Sequence, residues 1–99
     1  MDHRIAPRAA SDLDNIWLYV ARDSGNIEIA NKLIDSITDQ FFLLASYPRL
    51  GRARDDDFGA GSRSLAVGEY VVVYCIEDEY VLILRVVHGR RDIESLFGD

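Results

Sequence analysis

The chain is 99 residues long, 48% hydrophobic and 28% charged, which suits one soluble domain, 1–99, with a modest core that needs neither disulfides nor metal. Its formal net charge is −6, with ten arginines and one lysine against seventeen carboxylates, so global steering toward nucleic acid is disfavoured and no direct nucleic-acid binding is expected. No leader-like segment and no run of apolar residues long enough for a membrane span is visible, so a cytoplasmic protein without a membrane partner is expected.

In chain order, DHRIAP is expected to be extended, because Pro7 biases Ala6 away from helix while itself suiting a first helical turn. RAASDLDNIWLYVARDSG follows, with Leu13, Ile16, Trp17 and Val20 at the spacing of an amphipathic helix, and Gly25 is placed to end it in a left-handed turn. Asp12 and Asp14 favour the positive N-terminal end of that helix. From about Asn26 to Ala45 a longer helix is expected, its apolar face formed by Ala30, Leu33, Ile34, Ile37, Phe41 and Leu44. The short turn between the two makes them an antiparallel hairpin.

PRLGRARDDDFGAGS, Pro48 to Ser62, has the composition of a loop. RSLAVG then alternates, with Arg63, Leu65 and Val67 on one side, and EYVVVYCIE is nearly continuous in β-branched and aromatic residues, as expected of a central strand. Cys75 within it, the single cysteine, is expected to be a buried small hydrophobe. The acidic turn EDE leads into YVLILRVVH, and a last short helix or tail, DIESLFGD, is expected with Ile93, Leu96 and Phe97 on one side. The order β-α-α-β-β-β predicts an α+β fold: an antiparallel sheet with a helical hairpin packed on it and the N-terminal segment joining as an edge strand.

No phosphate-binding loop, nucleophile elbow or metal-ligand spacing is present, and no cofactor or metal is expected. Asp55, Asp56 and Asp57 read as a solvated acidic loop. Chemistry could reside in Arg63, Arg85, His88, Arg90 and Arg91. Two guanidiniums on neighbouring strands could clamp an anion, and His88 could exchange a proton near neutral pH. The same residues equally suit a binding surface or plain structural pairing with Glu69, Glu77 or Glu94. Trp17, Tyr19 and the apolar tail residues Ile93, Leu96 and Phe97 could in turn line a groove for a partner helix.

Four segments, APRAASDLDNIWLYVA, YPRLGR, SRSLAVGEYVVVY and RVVHGRRDIESLF, together resemble the ParE branch of the ParE/RelE toxin superfamily of type II toxin–antitoxin systems, in order and over nearly the whole chain. The resemblance implies the same β-α-α-β-β-β architecture. It also implies a cognate antitoxin, ParD-like or similar, that wraps and neutralises the toxin, with Trp17, Tyr19, Ile93, Leu96 and Phe97 as candidate contacts. ParE-like members poison DNA gyrase, whereas RelE-like members cleave mRNA on the ribosome without a metal. No tyrosine follows RVVHGRRD and lysine is scarce, features that favour the gyrase branch. The expectation is a non-enzymatic toxin in a hetero-oligomer with its antitoxin, presenting Arg63, Arg85, His88, Arg90 and Arg91 to its target. The alternative is a ribosome-dependent endoribonuclease using Arg63, Arg85 and His88.

Overall fold

A computed structural model describes residues 1–90. Strand β1, Asp2–Ile5, leads into helix α1, Pro7–Ser24, through Ala6, whose extended backbone (φ −64°, ψ 151°) is what a residue before proline adopts. Gly25 ends α1 in the left-handed region at φ 66°, open to a residue without Cβ. Asn26 then caps α2, Ile27–Ser46, its side-chain oxygen accepting from the Glu28 amide at 2.9 Å. The hairpin is tied across its two helices by Trp17, whose indole N–H donates to Asn31 Oδ1 at 2.7 Å.

Strands β2 (Arg52–Ala53), β3 (Ser62–Val67), β4 (Tyr70–Ile76) and β5 (Tyr80–His88) complete one five-stranded sheet in the order β1-β5-β4-β3-β2. Strands β3, β4 and β5 pair antiparallel and β1 joins the edge, as expected, and β2 extends the antiparallel part beyond β3. The sheet is nevertheless mixed, because β1 runs parallel to β5. No hairpin links these two strands; the chain between them runs through both helices and strands β2 to β4, which is ample for the long connection that a parallel pair requires. The stretch expected as loop also contains β2 and one turn of helix, α3, Asp55–Phe58. The tail from Asp92 onward, and with it Ile93, Leu96 and Phe97, lies outside the described residues, as does Arg91.

The core forms where the hairpin covers one sheet face. Ile37, Phe41 and Leu44 of α2, with Ala9 and Ile16 of α1, pack on Val72, Tyr74, Val81, Ile83 and Val86. Burying each large side chain among these contributes about 1.5–3 kcal/mol. Leu65 and Val67 face the same way, opposite Val72 and Tyr70. Val73 and Val87 are buried as well, which accounts for the near-continuous apolar composition of β4 and the end of β5. Among the described residues, no helix is long and apolar enough to cross a membrane.

Candidate functional site

One irregularity in the sheet organises the site. The β4–β5 register shifts between Val73 and Tyr74: Val73 is opposite Arg85, but Tyr74 is opposite Ile83. The extra residue in β5, Leu84, is a bulge, a device that re-aims neighbouring side chains. Arg85 reaches helix α1, where its Nε donates to Asp12 Oδ2 at 2.8 Å and its Nη2 to Asp12 Oδ1 at 3.1 Å. Asp12 Oδ2 also accepts from the Val86 amide at 2.9 Å. This amide lies beside the bulge, where the ladder is locally disrupted.

The Asp12–Arg85 pair forms part of the wall of a cavity of about 350 Å³ that also involves Asn15, Tyr19 and Tyr70. An adjoining hollow of about 370 Å³ shares Tyr19 and Tyr70 and adds Asp23, Glu69 and His88. The two form a trough along the seam between α1 and the β4–β5 pair. His88 stacks edge-on against Tyr70, ring centres 5.4 Å apart, and its Nε2 is 4.0 Å from Glu69 Oε2. The Arg90 amide donates to His88 Nδ1 at 3.2 Å. Arg85, His88 and Tyr19 are therefore neighbours on one surface, with Arg90 at its end.

Arg63 belongs elsewhere. It is opposite Tyr74, while His88 is opposite Tyr70. Four residues of β4 put the two about 13 Å apart along the strands, with two inter-strand spacings, about 10 Å, across them. Arg63 Nη2 donates to the carbonyls of Arg49, at 3.1 Å, and Gly51. Tyr74 holds the same loop: its hydroxyl donates to Pro48 O at 2.7 Å and accepts from the Gly51 amide at 2.9 Å. The segment YPRLGR is thus fastened to the sheet by one arginine and one tyrosine. Arg63, Arg85 and His88 do not converge on a common point.

Of the other candidates, Trp17 is half-buried and engaged with Asn31, whereas Tyr19 is 52% exposed within the trough. In the acidic stretch, Asp55 accepts from the Gly61 amide at 2.6 Å and Asp57 pairs with Arg54 at 2.9 Å. Among the described residues no His, Cys, Asp and Glu side chains form a group able to hold a metal. Sequence reasoning missed Asp12 as the partner of Arg85 and Tyr74 as the anchor of the loop. An arginine inside an apolar strand was the available signal for the first, since a half-buried guanidinium needs a carboxylate.

The whole pattern has close parallels. Residues 4–93 match the family model for the ParE toxin of type II toxin–antitoxin system, parDE. Toxin ParE1 of Caulobacter vibrioides is 34% identical over 96 residues, covering 97% of each chain. Toxin ParE3 of the same organism is 33% identical over 89 residues, covering 90% of this chain and 87% of the relative. Among solved structures, the chromosomal ParDE system of P. aeruginosa superimposes with a TM-score of 0.77 at 24% identity, covering 89% of this chain and 95% of that one. The RelBE2 toxin–antitoxin complex of Mycobacterium tuberculosis gives 0.57 at 27% identity, covering 88% and 95%. The chain belongs to the ParE toxin family of type II toxin–antitoxin systems.

Proposed function

We propose that this toxin acts by binding DNA gyrase, without catalysing a reaction of its own, and that a cognate antitoxin holds it inactive. The observation that carries the non-enzymatic reading is the separation of Arg63 from His88, together with the engagement of Arg85 by Asp12. A general acid or base must lie within hydrogen-bond reach of the group it serves, and the engagement of Arg63 by the Arg49–Gly51 loop and of Arg85 by Asp12 favours binding over catalysis. The gyrase target rests on family membership and the scarcity of lysine that a ribosomal RNA-binding groove would call for.

The antitoxin reading is supported by the RelBE2 structure, which is described as a toxin–antitoxin complex. Leu18 and Tyr19 on α1 and Ile27 and Ile29 at the start of α2 are all exposed, at 41%, 52%, 59% and 49%. Exposed apolar side chains of this kind on a helical hairpin suit the apolar face of a partner helix. The trough at Tyr19, Tyr70 and His88, with Arg90 beside it, is the proposed target-facing surface.

The test is a supercoiling and cleavage assay with gyrase and the purified chain, with and without the antitoxin encoded beside it. Loss of supercoiling with stabilised cleavage complexes, relieved by antitoxin, is the expected result. Unaltered supercoiling, with A-site cuts in translated mRNA mapped by primer extension, would replace this reading with the endoribonuclease one.

A further inference from the structure

Strand β1 is an open edge of the sheet, since β5 is its one neighbour among the described strands. The Ala6 amide donates inward to Ile83 O at 2.9 Å. Because backbone groups alternate along a strand, the N–H and C=O of His3 and Ile5 point outward. Edges of this kind are ordinarily guarded by like charges, proline or a covering loop. Here the guard is self-complementary. Asp2 and Arg4 lie on one face and carry opposite charges. Arg4 stacks over the Tyr80 ring at 4.1 Å, and neither it nor Asp2 has an ion-pair partner among the described residues.

We infer that β1 is a homodimerisation edge, on which a second copy of this chain pairs antiparallel about a two-fold axis at His3. In that register the segment Met1-Asp2-His3-Arg4-Ile5 is matched against itself reversed. Asp2 is opposite the second copy's Arg4, and Arg4 opposite its Asp2. Met1 and Ile5, 56% and 40% exposed, are opposite one another and cover each other. His3 pairs with His3 at a hydrogen-bonded position, which is what its outward N–H and C=O require. A second copy shifted by one residue would bring Asp2 opposite Ile5 or inward-facing amides to the edge, so the charges select the register. Phe42, 65% exposed and packed edge-on against His3 at 4.8 Å between ring centres, adds apolar surface on the same flank.

The edge is only four residues long, so the dimer is weak and reversible. The experiment is sedimentation equilibrium of the full chain without antitoxin over roughly 10–500 µM, where small interfaces of this kind associate. Wild type, Asp2→Arg, Arg4→Asp and an equimolar mixture of the two variants are compared. Each reversal puts like charges opposite one another twice, and is expected to weaken the dimer by about ten-fold or more. The mixture restores opposite charges at both pairs and is expected to recover association, which a misfolded variant could not do. A wild-type chain that stays monomeric throughout overturns the proposal, even if an antitoxin strand then binds the edge. So does a dimer that neither reversal weakens, or one that mixing fails to restore.

Discussion

Arg85 of β5 and Asp12 of α1, 73 residues apart in sequence, share two hydrogen bonds in a fork-to-fork pair, and the same carboxylate receives the Val86 amide. The side chains of Arg85 and Asp12 are 22% and 15% exposed. One carboxylate therefore couples the helical hairpin to the bulge in the sheet. Breaking such a pair leaves a half-buried charge and an amide without its acceptor, which costs more than the pair itself contributes.

Asp12→Ala is expected to destabilise the fold by about 2–4 kcal/mol, measured by urea unfolding. Replacing both members, Asp12→Ala with Arg85→Met, should cost less than the sum of the two single changes, because no charge is left stranded. Additive costs would show that the two groups do not depend on one another.

A different pattern is expected at the trough. Arg90→Ala should lower toxicity in a growth assay while the melting temperature stays within a few degrees of wild type, since Arg90 is exposed; His88→Ala should lower it at a modest cost in stability, because its side chain, 19% exposed, packs on Tyr70. Arg85→Ala should instead lose toxicity together with stability. Toxicity unchanged in His88→Ala and Arg90→Ala, with folded protein at wild-type levels, would move the target surface elsewhere.

The loop YPRLGR depends on close packing at Gly51. A Cβ there would lie 2.6 Å from both Ser64 O and the Tyr74 hydroxyl oxygen, and the backbone atom cannot yield. Gly51→Ala is expected to cost about 1–3 kcal/mol by overpacking. Tyr74→Phe removes a donor to Pro48 O and an acceptor for the Gly51 amide, and should cost about 1–3 kcal/mol. Hydrogen exchange should then quicken at the Gly51 amide; exchange as slow as in wild type would show that the tyrosine does not hold the loop.

Cys75 should react slowly. Cys75 is half-buried rather than buried as expected, yet this partial burial, the S–H hydrogen bond to Glu77 at 3.4 Å and the charge of that carboxylate all raise the thiol pKa above its ordinary value. Alkylation by iodoacetamide at pH 8 should be slower than for a free thiol, and Glu77→Gln should speed it. The linkage sign follows from the same shift. The unfolded chain ionises its thiol first, so this contribution to stability is complete below the unfolded pKa and is lost as pH rises through the folded one. Unfolding free energies flat across that alkaline range, once compared with Cys75→Ser, would count against it.

Local patterning carried much of the architecture. Helix α1 with its glycine stop at Gly25, α2 with its buried face at Ala30, Ile37, Phe41 and Leu44, and the three strands β3, β4 and β5 were all legible, because each follows from near-neighbour periodicity and turn chemistry. The family resemblance was legible too, from four segments whose spacing covers nearly the whole chain. Tertiary structure alone decided the rest. The parallel docking of β1, the bulge at Leu84 and the contacts Asp12–Arg85 and Tyr74–Gly51 join residues far apart in the chain. Whether Arg63, Arg85 and His88 meet was likewise a question of strand register. Sequence names the residues that could do chemistry, but only the packed sheet says which of them share a surface, because side-chain distances across strands are set by register and not by separation along the chain.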